Sequence, residues 1–453
     1  MADACPLSFS QQRLWFLDQL APGDPTYNIP YVMTIGGQLN VEALQKALNA
    51  VVDRHEVLRT TFRNVDGTPV PVISDGCCVP LKQVDLTVLS ERDREARAGV
   101  LIREEACRGF NLERDCMLRG LLIRMAEDKH IFLHVSHHIA WEFRSTALLY
   151  AELEQLYAEF TTGLAANLPE LPIQYSDFAL WQRRFLHGDM LERMSAYWKQ
   201  HLAGCSGDLE LPADFPRPAV PTRRGRRYPM VLSSEILEAA RILSLNSGVT
   251  PFTSLFGAFS VFLHCYTGQD DISVGSPIAR RRRDEIEPLI GFFVNTLVLR
   301  AQASGKTTFR QLLASLSRVI LGAIAHADLP FDKLVETLRP PRRTGRMPLF
   351  QVNFRVVKAP VPALRLKRLR VSAPEWVDNE TSKFDLSLEL VATGGAAGFF
   401  EYSTELFRDE TIVQMAADFE TLLRALISEP DTPLAGLQAV REVRARILQK
   451  EAW

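Results

Sequence analysis

What the chain lacks narrows its class first. Charge of one sign is missing: 52 lysines and arginines stand against 54 aspartates and glutamates, for a formal net charge of -2. A balance of that kind gives no basic field for nucleic acid or for an anionic membrane surface. No apolar run approaches the ~20 residues that a membrane helix needs. The opening "MADACPLSFSQQRLWFL" has neither the basic start nor the apolar core of a secretory leader. Cysteine is sparse. Cys5, Cys77, Cys78, Cys107, Cys116, Cys205 and Cys265 are scattered, and no CxxC pair occurs. Neither a disulfide framework nor a zinc cluster is expected, and the thiols suit a reducing cytosol. A cytoplasmic location without nucleic-acid or membrane partners is the expectation. There is no internal repeat and no low-complexity tract.

What is present reads as a mixed α/β chain. At 453 residues it exceeds a usual single core, so two lobes of roughly 200 residues are expected. "LNVEALQKALNAVVDRH" offers Asn40 as an N-cap, followed by Val41, Leu44, Leu48, Val51 and Val52 at helical spacing. "TPFTSLFGAFSVFLHCY" places Pro251 at the first position of a helix capped by Thr250. "TFRQLLASLSRVILGAIAHA" and "DETIVQMAADFETLLRALIS" are further amphipathic helices. "FFVNTLVLR", "FQVNFRVV", "FDLSLELVAT" and "GFFEYSTELF" read as strands interleaved with them. "LPADFPRPAVPTRRGRR", residues 211–227, reads as an extended crossing segment, and its arginines as surface.

"KHIFLHVSHH" alternates. Period two puts Ile131, Leu133, Val135 and His137 on one face of a strand, and Phe132, His134, Ser136 and His138 on the other. The adjacent histidines then point opposite ways, one packed and one facing a cleft. An imidazole can take a proton from an attacking nucleophile near neutral pH if its other nitrogen fixes the tautomer. The plainer reading is two histidines packed at a strand end. For a lone histidine that reading prevails, so the pair draws its weight from the segments around it.

Seven segments in chain order resemble the motifs of condensation domains from nonribosomal peptide synthetases. "LSFSQQRLWFLDQL" with "YNIP" resembles the opening of the subtype that joins two L-configured residues. "SHHIAWEF" stands where the family carries HHxxxDG. "IQYSDFALWQ" is similar to YxDFAxW, "IGFFVNTLVLR" to IGxFVNT…R, and "HADLPFDKLVE" to HQDxPFE. "RMPLFQVNF" and "SKFDLSLEL" resemble the late motifs. The DxxxxD of cyclisation domains is absent. "ILQKEAW" looks like the start of a junction to a following module, which suggests a domain excised from a larger synthetase.

The resemblance implies two chloramphenicol-acetyltransferase-like lobes arranged as a V-shaped pseudo-dimer, with the active site in a tunnel at their junction. An N-terminal lobe over 1–175 and a C-terminal lobe over 176–453 are expected, with bridging segments near 275–296 and 355–385. A monomer follows, because the two lobes already form the pseudo-dimer. The implied activity is that of an amide-forming acyltransferase. An acyl or peptidyl thioester on one carrier protein is attacked by the amine of an aminoacyl thioester on another. Both substrates ride on 4'-phosphopantetheine. No intrinsic cofactor or metal is implied. The implied partners are upstream and downstream peptidyl carrier proteins and an adjacent adenylation domain. A related acyltransferase using coenzyme A thioesters shares the fold and the histidine, but leaves the synthetase motifs unexplained.

Residue by residue, His138 falls on the family's active histidine and His137 on its supporting neighbour. Glu142 replaces the family's aspartate, and Arg281 aligns with that aspartate's arginine partner. A carboxylate–guanidinium pair would brace the loop under His138. Asn295, Trp376 and Ser382 fall in segments near the family's tunnel, with packing the expected role of Trp376. Arg280, Arg282 and Arg283 form either a solvated turn or a basic patch for an acidic carrier or a phosphate.

Phe143 departs from the pattern. The family has glycine there, for backbone freedom and for room beside the substrate arm, so a bulky residue that avoids positive φ is expected to disturb the turn. Three explanations stand side by side. The loop has re-formed around Glu142 and Phe143 in a working enzyme. Alternatively, the domain no longer condenses and serves as an interface that recruits a trans-acting tailoring enzyme, such as an oxygenase, to a carrier-bound amino acid. In the third, the residues were altered deliberately.

Overall fold

The computed structural model describes residues 6–451, apart from 282, 342, 358 and 392–395. Cys5, Arg282 and residues 452–453 therefore lie outside the described residues. The chain divides into two compact units. The first comprises Met1–His187, Ala279–Val294 and Val361–Asn379; the second comprises Gly188–Ile278, Asn295–Pro360 and Glu380–Trp453. The first unit runs past the boundary at 175 read from the sequence, for a physical reason. The helix Tyr175–Phe185 buries Tyr175 and Phe178 in that unit's core and packs Trp181 against it.

The first unit is built on strands β1 (Asn28–Gly36), β2 (Thr60–Val65), β3 (Thr68–Ile73), β4 (Leu81–Asp85), β5 (Leu118–Ala126) and β6 (Lys129–His137). Its main sheet runs β1-β6-β5-β4, and two short strands, Arg370–Val371 and Glu375–Trp376, pair with the outer edge of β1. β2 and β3 form a separate hairpin. β6 is central, and from Phe132 to its end every residue is buried, so both of its faces are packed. Its register on β1 sets Asn28 opposite His137, which fixes where the strand delivers its last residue.

Among the described residues, five α-helices belong to this unit: α1 (Phe9–Leu20), α2 (Val41–Arg54), α3 (Glu91–Cys107), α4 (Phe143–Thr162) and α5 (Tyr175–Phe185). α2 starts at Asn40, whose side chain accepts from the Ala43 N–H at 3.0 Å. It buries Leu44, Leu48, Val51 and Val52 and packs against α4. Each such burial contributes roughly 1.5–3 kcal/mol.

The second unit carries a six-stranded sheet in the order Gly225–Leu232, Ala396–Ser403, Leu386–Val391, Val352–Val357, Asp271–Ala279, Val294–Gln302. Val352–Val357 is parallel to both of its neighbours, so the sheet is mixed. Its central helix, Pro251–Thr267, is buried at every residue from Thr253 to Tyr266 and ends at Gly268, whose φ is 67°. A helix apolar all round must be covered all round, and this one is a core element. Among the described residues no single helix is long and apolar enough to cross a membrane.

The mixed α/β order is the one expected, with three local corrections. The strand read as "FFVNTLVLR" begins only at Val294, which leaves Phe292 and Phe293 in the loop before it. β6 ends at His137, so His138 is outside the alternation. In the crossing segment, Arg227 is not plain surface: it pairs across the strands with Glu401 at 2.9 Å.

His134 lies deep in the first unit. Its Nε2 is 2.9 Å from the Tyr150 hydroxyl and its ring stacks on Tyr31 at 5.8 Å. Burial pushes its pKa down to about 3 from the usual 6.5. The folded chain therefore keeps this imidazole neutral where the unfolded chain protonates it. Its contribution to stability is fully present above pH 6.5 and is lost as pH falls from 6.5 toward 3, at about 1.4 kcal/mol per pH unit. Urea denaturation at a series of pH values across that window should show a shallower slope for His134→Gln than for the native chain. Equal slopes would remove His134 as the source.

Candidate active site

The end of β6 turns sharply at the histidine pair. His138–Ala140 is a single 3-10 turn, with Trp141 N–H donating to the His138 carbonyl at 3.3 Å. Ile139, Ala140 and Trp141 are all completely buried, so the turn is packed into the core of the unit. His137 Nδ1 accepts from the Ile139 N–H at 3.2 Å. A neutral His137 therefore carries its proton on Nε2, and the tautomer is set by the turn itself. Phe110 packs edge-on to His137 at 5.5 Å, and the residue is buried. His138 is half-buried between Phe292 at 4.4 Å and Tyr27 at 6.4 Å. The pair thus differs as the sequence suggests, but through a turn rather than through opposite strand faces.

Directly after the turn comes a buried ion pair. Arg281 Nε donates to Glu142 Oε1 at 2.6 Å, with side-chain exposures of 4% and 1%. The second oxygen, Oε2, accepts the Phe293 N–H at 3.2 Å. Arg281 Nη1 donates to the Leu289 carbonyl at 2.8 Å and to that of Ile286, and its guanidinium lies 4.3 Å over the Phe293 ring. Two isolated charges this deep would cost several kcal/mol each; the pair is tolerated because hydrogen bonds engage both carboxylate oxygens and two of the guanidinium nitrogens.

The same loop is held at neighbouring residues by groups that sequence reading missed. His55 Nδ1 accepts the Ile290 N–H at 3.3 Å, while its Nε2 sits 3.0 Å from both oxygens of Glu152. Arg54 reinforces Glu152 at 3.1 Å. Ser145 Oγ accepts the Gly291 N–H and donates to the Gly291 carbonyl, both at 3.2 Å. Tyr175 donates its hydroxyl to the Phe292 carbonyl at 2.7 Å, and Ser8 Oγ lies 2.9 Å from that hydroxyl. Burial pushes the Tyr175 pKa up, so it remains a donor. Gly291 is required here, because a Cβ on it would stand 2.3 Å from the Tyr175 ring. "RHEVLR" at the end of α2, a histidine at a helix C-cap beside an arginine, is the local signal that could have led to this anchor.

Phe143 corrects an expectation. It is the first residue of α4, with Glu142 as N-cap, and it is not among the residues of positive φ. The position needs no left-handed backbone, so phenylalanine brings bulk but no strain. Its side chain is half-buried.

The remaining sequence candidates make contacts of their own. Trp376 lies in the first unit on an edge strand and packs edge-on to Tyr31 at 5.3 Å. Asn295 and Ser382 belong to the second unit. Asn295 donates to the Ala327 and Leu329 carbonyls at 2.8 and 2.7 Å and accepts from the Phe331 and Thr296 N–H groups, which fills its hydrogen-bonding capacity with a turn. Ser382 is buried and donates to the Phe384 carbonyl at 2.6 Å. Arg283 is exposed and stacks over Trp181 at 4.6 Å. Among the described residues no three histidine, cysteine, aspartate or glutamate side chains converge as a metal site.

The family model described as "Condensation domain" matches residues 1–448. One of the proteins that make up the linear gramicidin synthase of Brevibacillus parabrevis is 43% identical over 440 residues, which is 96% of this chain and 6% of that protein. Phosphinothricin tripeptide synthetase PhsC from Streptomyces viridochromogenes is 39% identical over 447 residues, which is 98% of this chain and 41% of that protein. The chain thus spans only a minor part of the curated relatives it matches. Among solved structures, the X-domain from teicoplanin biosynthesis superposes with a TM-score of 0.89 at 27% identity, over 97% of this chain and 98% of that one. The same domain in complex with OxyB gives 0.87 at 27% identity, over 97% and 96%. The starter condensation domain of rhizomide synthetase shares the fold, with a TM-score of 0.81 at 20% identity over 95% of this chain and 96% of that one. The two acetyltransferase-like lobes expected from the sequence are the fold of these neighbours.

Because residue 143 is helical, Phe143→Gly should lower stability by up to about 1 kcal/mol through helix propensity, plus the buried area it loses. A melting temperature that rises in this variant would show that the phenylalanine strains the turn.

Proposed function

The chain belongs to the condensation-domain family, and from that membership we propose that it forms peptide bonds between two carrier-bound thioesters. The donor is an acyl or peptidyl thioester and the acceptor an aminoacyl thioester, both on the 4'-phosphopantetheine of partner carrier proteins. The acceptor amine attacks the donor carbonyl, the C–S bond breaks, and the donor arm leaves as a thiol. His138 orients the amine, takes the proton lost from its nitrogen, and passes it to the departing sulfur. A thioester is already activated, so positioning and charge stabilisation supply most of what the protein must add.

The observation that carries this reading is the intact support beneath an altered motif. Glu142 keeps the arginine pair that the family's aspartate would make, at 2.6 Å, and Phe143 enters α4 without backbone strain. Neither substitution dismantles the turn that holds His138. A second reading has its own observation: the X-domain resembles this chain along nearly its whole length and has been seen in complex with OxyB. In that reading the domain recruits a tailoring enzyme to a carrier-bound amino acid. The 43% identity to a linear gramicidin synthase protein and the 39% identity to a tripeptide synthetase, against 27% to the X-domain, favour bond formation.

A single-turnover assay tests it. Donor and acceptor carriers loaded with aminoacyl thioesters should yield dipeptide on the acceptor, seen by intact-protein mass spectrometry. His138→Ala should slow this by at least about 100-fold with the melting temperature preserved. No dipeptide from the native chain with its own carriers would move the assignment to the interface reading.

A further inference from the structure

Phe292 occupies the one position that the IGxFVNT pattern leaves open, and its ring touches His138. The two ring centroids are 4.4 Å apart with planes inclined at 56°. That is a tilted contact, the arrangement aromatic rings prefer to a face-to-face stack. Tyr27, at 6.4 Å, is a more distant neighbour of the imidazole.

The backbone under Phe292 has little freedom to drift. On one side the Gly291 N–H and carbonyl are both bonded to Ser145 Oγ. On the other the Phe293 N–H is bonded to Glu142. The Phe292 carbonyl accepts from the Tyr175 hydroxyl, itself in contact with Ser8. Tyr175 also packs on Phe293 at 5.1 Å. So α1, α4, α5 and the ion pair all converge on one loop residue whose side chain lies against the histidine. A loop tied this fully presents its one half-buried aromatic ring at a fixed place.

We propose that Phe292 is the positioning residue of His138, and that the Tyr175–Phe292 hydrogen bond sets where its ring stands. The ring blocks one side of the imidazole and narrows the orientations His138 can adopt. In bond formation, the reading on which the rate consequence rests, that restriction keeps the imidazole aimed at the acceptor amine. Phe292 itself touches no reacting atom in this account.

The test reads the contact and the rate separately. Selective [13Cε1]-histidine labelling of the whole chain gives one resonance for each of its nine histidines, with His138 assigned by its loss in His138→Gln. Ring current from Phe292 should shift the His138 signal. Phe292→Leu should return it toward the random-coil position, Phe292→Tyr should retain the shift, and Tyr175→Phe should diminish it by loosening the ring. In single turnover, Phe292→Leu should lower the rate at saturating acceptor about tenfold while leaving the half-saturating acceptor concentration in place, and Phe292→Tyr should recover most of the rate. Tyr175→Phe removes one oxygen and guards against an unfolded leucine variant. A His138 signal unmoved by Phe292→Leu in a folded protein overturns the proposal. So does a shifted signal with an unchanged rate. If the native chain makes no dipeptide, the bond-forming reading fails, and the resonance alone decides whether Phe292 holds His138.

Discussion

A carboxylate and a guanidinium buried together organise the first unit around its histidine pair. Glu142 and Arg281 are almost fully removed from water, where a charge without a partner is costly. Glu142 divides its two oxygens between a side chain and a backbone N–H, so one group joins the start of α4 to the loop at Phe293. Arg281 reaches on to the carbonyls of Ile286 and Leu289 and shapes the turn before that loop. The geometry around His138 follows from these bonds: the residues before Glu142 form its turn, and the residue before Phe293 supplies its aromatic wall.

This arrangement explains how a motif can change and keep its structure. Glutamate carries one more methylene than aspartate, and the loop has a partner for each of its oxygens. Phenylalanine at 143 falls on the first residue of a helix, where any ordinary residue fits the backbone. What the two changes alter is the side-chain volume at the start of α4. A second buried centre, His55 with Glu152 and Arg54, fixes the middle of the same loop from the opposite helix end. Two ionic clusters clamp one segment, which suits a site that must hold an imidazole within a narrow range of positions.

Much of this was legible beforehand, and the limits are physical. The helices at 41–54 and 251–267 announce themselves by cap and periodicity, because both signals are local. His137, His138, Glu142 and Arg281 were found through ordered motifs rather than through spacing. The strand period misplaced His138, since nothing local shows that the strand ends at His137 and turns there. The glycine position at 143 invited an argument about positive φ that only the helix start could answer. Phe292, Tyr175, Ser8 and the His55–Glu152 pair were passed over because each contact joins residues about a hundred or more positions apart, and such pairings leave no pattern in a short window.

The most direct test of the central role given to Glu142 and Arg281 is a double-mutant cycle on unfolding free energy. Glu142→Gln, Arg281→Met and the double variant would be compared with the native chain by denaturant titration. A coupling energy of about 2–3 kcal/mol is predicted, because each single variant strands the other buried group. A coupling near zero, with the two losses simply adding, would mean that the pair is an incidental contact and that the loop bearing Phe292 stands without it.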